Sequence, residues 1–143
     1  MDTKSKTTVL VGGCFDILHF GHIEFLHKAQ ELGTYLIVLL EADSRIKDLK
    51  GDTRPFHTQL MRKRMLESLR YVDEVISLPD NMTHEKYAHK VKDIHPDIIA
   101  ITTGDPICER KSELATIVGA TLVVIPRFES PTTSQIAHIL ELE

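Results

Sequence analysis

The stretch TTVLVGGCFDILHFGHIEFLHKAQEL (7–32) decides how the rest of the chain is read. It opens with an apolar, β-branched run, TTVLVGG (7–13), crosses a short turn, and enters a segment of helical period from about Gly21 to Leu32. Gly12 and Gly13 end the strand, and His19 and His22 stand three apart with Gly21 directly before the second. Without a Cβ, the glycines let backbone N–H groups approach a bulky anion, and a helix N-terminus attracts one. Histidines three apart at a helix start project on the same side. There they can donate hydrogen bonds to phosphoryl oxygens, more strongly if protonated. Taken alone, such a pair is more often a surface feature or part of a metal site; its place behind a glycine-ended strand turns the reading toward phosphate. Zinc lacks support, because neither Cys14 nor Cys108 stands at a convincing ligand spacing.

The same alternation continues along the chain. TYLIVLL (34–40), VDEVISL (72–78), DIIAITT (97–103) and ATLVVIP (120–126) read as strands; the segments 58–69, 84–94, 107–118 and 133–142 read as helices. Strands apolar on both faces, alternating with helices, imply a parallel sheet covered on two sides. The expectation is an α/β, Rossmann-like, doubly wound five-stranded sheet in one domain spanning 1–143, with ligand bound outside the carboxyl ends of the strands. KDLKGDTRPFH (47–57) is the most loop-like stretch, and no repeat or linker is visible.

Composition narrows the classes. The chain has 143 residues, 42% hydrophobic and 27% charged, which suits a folded globular domain rather than a disordered one. A net charge of -4 argues against wrapping nucleic acid. No apolar run approaches the roughly 20 residues of a membrane helix and no signal region opens the chain, so the expectation is a cytoplasmic protein without a membrane partner. Two cysteines without CxxC spacing read as packing or loop residues.

GGCFDILHFGH (12–22) resembles the G-x-F-D-x-x-H-x-G-H signature of the cytidylyltransferase-like nucleotidyltransferases at every fixed position from Gly13 to His22. LKGDTRP (49–55) is similar to a loop of the adenylyltransferase domain of ADP-heptose synthases, and RKRMLESLRYVDEVI (62–76) to a unit of glycerol-3-phosphate cytidylyltransferases. RFESPTTSQI (127–136) resembles the family's R-T-x-G-I-S-T-T-x-I segment, departing at Phe128, Ser130 and Pro131. The resemblance implies transfer of a nucleotidyl group from ATP or CTP to an acceptor phosphate, with release of pyrophosphate. It leans to ATP and heptose 1-phosphate; the alternatives are glycerol 3-phosphate with CTP, an FAD synthetase-like reaction, and a non-catalytic nucleotide-binding regulator. Relatives of this size are commonly dimers, so a homodimer is expected.

The resemblance also assigns residues. An acceptor phosphate is already anionic, so catalysis is positioning and charge stabilisation, and no Ser-His-Asp or Cys-His arrangement is needed. His19 and His22 become donors to the triphosphate, each worth on the order of 3 kcal/mol in the barrier. Lys50, in the loop, and Arg62, which matches both relatives, complete the cationic clamp; Arg64 reads as a solvated charge. Gly12, Gly13, Cys14, Phe15, Asp16 and Gly21 of the first motif fall to nucleotide binding, although Phe15, Ile17 and Leu18 also read as packing. Gly104 and Asp105 keep the family's G-D pair after the fourth strand. Arg127 with Thr132, Thr133 and Ser134 would hold phosphate at the last helix, where a plain hydroxyl cap is the simpler reading. Mg2+ is expected with the triphosphate rather than in a protein cage, Asp16 orienting a loop or holding the ion through water. His57, His84, His89, His95 and His138 read as surface or helix residues.

Overall fold

The computed structural model describes residues 5–129 and 131–140. In chain order the elements are β1 (Thr8–Gly13), α1 (Phe20–Glu31), β2 (Tyr35–Leu40), α2 (Asp43–Lys50), α3 (Gln59–Glu67), β3 (Glu74–Ser77), α4 (His84–Ile94), β4 (Ile98–Thr102), α5 (Cys108–Val118), β5 (Thr121–Ile125) and α6 (Thr133–Ile139). The strands form one all-parallel sheet in the order β3-β2-β1-β4-β5. That is the doubly wound arrangement expected from the alternation.

β1 shows why these residues fold this way. Side chains along a strand alternate between faces. Val9 and Val11 therefore pack with Phe25, Leu26 and Ala29 of α1 and Leu66 of α3, while Leu10 packs with Val91 of α4 and Leu114 of α5 on the opposite face. Each fully buried aliphatic side chain contributes about 1.5–3 kcal/mol of transfer free energy, so both faces hold the sheet. The winding reverses between β1 and β4, which opens a crevice beyond their carboxyl ends.

Two expectations need amending. Residues 47–50, read as loop, are the last turn of α2, which Gly51 ends at φ 99°. α2 escaped notice because DSRIKDLK buries only Ile46 and has no side-chain N-cap, leaving no apolar stripe to detect. α6 runs to Ile139 and Leu140 caps it; residues 141 and 142 of the expected helix lie outside the described residues.

Candidate active site

A cavity of about 540 Å³ opens at the carboxyl ends of β1 and β4. Gly12, His19 and His22 line it from one side; Arg127 and Thr132 line it from the other, with Lys111 reaching in from α5. The first motif and the Arg127–Thr132 segment thus meet in one space. Thr133 ties them together, its hydroxyl donating to the Ile17 carbonyl at 2.8 Å across 116 residues of sequence.

His19 is the N-cap of α1, and His22 is its third residue. The Nδ1 of His19 accepts from the Gly21 N–H at 3.1 Å, and the Nδ1 of His22 accepts from the His19 N–H at 3.3 Å. Two imidazoles therefore form a reciprocal capping box, and their rings stack at 3.8 Å. A ring nitrogen that accepts carries no proton, so each neutral ring holds its hydrogen on Nε2. Burial, the neighbouring His19 and the Lys50 charge push the His22 pKa down to about 3, against the Ile17 carbonyl. Burial and Lys50 likewise lower that of His19. Both environments therefore favour the neutral form of the rings.

The glycines have a second reason to be there. A Cβ on Gly12 would come within 2.9 Å of the Tyr87 hydroxyl, and one on Gly13 within 2.9 Å of the Phe15 ring. Phe15 itself sits at φ 48°, an uncommon backbone conformation for a bulky residue. Its ring is buried 5.2 Å from that of His22, so it supports the imidazole by packing. Burial pushes the Cys14 thiol pKa up, keeping that residue an inert part of the wall.

Arg62 acts differently from expectation, and Asp16 takes the loop-orienting one of its two expected roles. Asp16 is 2% exposed and takes the Arg54 Nε at 2.7 Å together with the Phe56 and His57 backbone N–H groups. Burial alone would raise its pKa, but these bonds win and hold the carboxyl below its usual range. Its oxygens are spent on the 54–57 loop, so it orients that loop and does not line the cavity. His57, expected at the surface, belongs to this clamp through Nδ1 and the Asp16 carbonyl, 2.8 Å apart. Arg62 is fully buried. Its guanidinium donates to the carbonyls of His57, Cys14 and Glu41 and to Asp43 Oδ1, which fastens α3 to the loops after β1 and β2. A side chain so engaged is a girder beside the cavity rather than a phosphate ligand.

The remaining residues divide. Lys50 is exposed at the end of α2, yet its charge reaches His19, His22 and Cys14. Gly104 adopts φ 81°, and a Cβ there would stand 3.9 Å from the Arg127 guanidinium. Asp105 lines the cavity but is paired with Lys111 at 2.9 Å. Thr132 caps α6 in a capping box with Gln135, as the simpler reading had it, and Ser134 is exposed outside the cavity wall. Ser130 lies outside the described residues. Sequence reasoning missed Arg54 and Lys111, two of the cations buried beside or within the site. Lys111 sits in CERKSEL, which reads as a solvated helix face, and only its later pairing with Asp105 distinguishes it.

Comparison with known proteins adds to this geometry. The cytidylyltransferase-like family model matches residues 10–138. The bifunctional protein HldE of Campylobacter fetus subsp. fetus is 41% identical over 99 residues, covering 69% of this chain and 21% of that protein. The FAD synthase of Thermococcus sibiricus is 43% identical over 102 residues, covering 71% of this chain and 66% of that protein. The chain thus spans about a fifth of the length of the HldE relative. Among solved structures, the lipopolysaccharide core biosynthesis protein from Thermoplasma volcanium GSS1 superposes with a TM-score of 0.70 at 25% identity, covering 88% of this chain and 99% of that one.

Proposed function

The chain belongs to the cytidylyltransferase-like family, and from that premise we propose that it transfers an adenylyl group from ATP to a sugar phosphate, with heptose 1-phosphate as the acceptor. The observation that carries this reading is the stacked, neutral His19–His22 pair in one cavity with Arg127 and Lys111. An oxygen of the acceptor phosphate forms a bond to the α-phosphorus as the α–β bridging bond breaks, and pyrophosphate leaves with the electron pair. No proton has to move, since the acceptor phosphate is already an anion. His19 donates from Nε2 to the triphosphate, His22 does so by exchanging the Ile17 carbonyl for a phosphoryl oxygen, and Arg127 adds charge opposite them. Lys50 supplies a longer-range field from the end of α2. Arg62 and Asp16 hold the loops that carry these groups.

Adenine is favoured by the LKGDTRP loop (49–55) and by the likeness to an FAD synthase. That likeness also supports a second reading, in which the acceptor is a flavin phosphate. Among the described residues no group of three or more His, Cys, Asp or Glu could hold a metal, and the Asp16 oxygens are occupied. Bound to the triphosphate, Mg2+ would neutralise part of its charge. Among the described residues no helix is long and apolar enough to cross a membrane. Cytoplasmic location and a homodimer complete the proposal, the dimer being checked by sedimentation.

Pyrophosphate release tests it with ATP and CTP, each against heptose 1-phosphate, glycerol 3-phosphate and FMN. Release with ATP and the heptose phosphate is expected. Release only with CTP and glycerol 3-phosphate, or only with ATP and FMN, would replace the acceptor and base. ATP binding without release in any arm would make the chain a nucleotide-binding regulator.

A further inference from the structure

A second cavity, of about 620 Å³, lies between α4 and α5 and reaches the end of β2. Glu41 lines it from just past β2, Tyr87 from α4, Leu114 and Ile117 from α5, and Arg45 from α2. Lys111 belongs to the walls of both this cavity and the one that holds the histidines. Resting on the adenylyl-transfer reading, we propose that this second cavity takes the polyhydroxy body of the acceptor, with Glu41 accepting its hydroxyls and Lys111 holding its phosphate at the wall shared with the nucleotide.

Lys111 is the pivot. It is 8% exposed, an unusual position for an ammonium group, which must find partners when it leaves water. Among the described residues it donates to Asp105 alone, at 2.9 Å, and an ammonium has three N–H donors. Asp105 is itself fixed, its other oxygen accepting the Ile107 N–H at 2.9 Å. The charge is therefore held at the boundary of two cavities with hydrogen-bonding capacity left over. An acceptor phosphate placed there would lie beside the triphosphate, as attack on the α-phosphorus requires.

Glu41 decides what lies behind that phosphate. Its backbone is pinned from both sides, the N–H donating to the Gly13 carbonyl at 3.0 Å and the carbonyl accepting from Arg62 at 2.9 Å. Glu85 and Glu113 line the same cavity. Arg45 and Arg110 line this cavity too, but Lys111 is the cation that also lines the histidine cavity, so the phosphate is placed there and the hydroxyls toward the Glu41 carboxylate, which accepts their hydrogens. Tyr87 and Leu114 offer apolar surface to the C–H faces of a sugar.

The test is steady-state kinetics with ATP and the best polyhydroxy phosphate, together with ATP affinity measured in the absence of acceptor. Glu41→Gln is expected to raise the acceptor KM about tenfold, a size typical of one lost polar contact, with ATP affinity within about twofold of wild type. Lys111→Met should raise the acceptor KM at least as much and lower kcat, and Lys111→Arg should recover part of both. Because Lys111→Met strips Asp105 of its partner, Glu41→Gln keeps the test readable if that variant does not fold. Wild-type acceptor KM in Glu41→Gln overturns the inference while leaving adenylyl transfer intact. No turnover with any acceptor overturns the adenylyl-transfer reading and this inference with it.

Discussion

Asparagine in place of His19 separates two things that one ring does. Asn is as good an N-cap as any residue, so it preserves the start of α1, but it has no Nε2–H to offer a phosphate. His19→Asn should keep the melting temperature and lose activity, whereas His19→Ala should lose about 1 kcal/mol of stability as well; thermal melts beside turnover distinguish them. His22→Gln preserves the capping box in the same way, since Gln is a natural third residue of that motif. It also removes a titration. The His22 pKa is about 3 in the fold, against about 6.5 unfolded, so between these values the unfolded chain binds the extra proton. Stability from this group is complete above pH 6.5 and lost as pH falls toward 3, with a slope of up to about 1.4 kcal/mol per pH unit. Denaturant titrations from pH 7 to pH 4 should show that loss in the wild type and a shallower one in His22→Gln; parallel curves would contradict it. The depressed Asp16 pKa acts lower, its contribution complete above about pH 3.9 and lost below, so of these two groups only His22 acts between pH 7 and pH 4. The spacing of His19 and His22 was legible in the sequence, but their neutrality was not, because it depends on backbone N–H groups and burial that only the folded chain supplies.

The loop from Arg54 to His57 and the helix α3 carry a different kind of prediction. Arg54 and Asp16 form a pair with almost no exposure on either side. Removing one partner of such a pair typically costs about 3–5 kcal/mol, because the other charge stays buried. Asp16→Asn and Arg62→Met should therefore show their main effect in unfolding experiments, and any fraction that remains folded should bind ATP with near wild-type affinity. A folded, fully stable Arg62→Met with weakened ATP binding would return Arg62 to the phosphate-ligand role that the resemblance implied. The elements themselves were largely readable: α4 runs over His84–Ile94, as its period indicates, and the five strands fall within their apolar runs. α2 was not, because a helix with one buried residue has no periodic signal to give. Nor was the destination of Arg62, since an arginine girder and an arginine phosphate ligand look alike until its acceptors are known.

Across the whole molecule, the order β3-β2-β1-β4-β5 sets the site by placing the β1 end beside β4, with a cavity on each side of Gly12 and Tyr87. Gly12→Ala should cost about 1–3 kcal/mol through the clash with the Tyr87 hydroxyl, and Tyr87→Phe in the same chain should restore part of it, as read by chemical unfolding. Strand alternation and the first motif made the crevice foreseeable, whereas the cation shared by its two cavities came from a helix residue that sequence marks as solvated. The most direct measurement is single-turnover pyrophosphate release from ATP in the wild type, His19→Asn and His22→Gln, with melting curves alongside. Neutral imidazoles acting as triphosphate donors require a loss of about a hundredfold or more in each variant at unchanged stability. Wild-type rates in both folded variants would contradict that role.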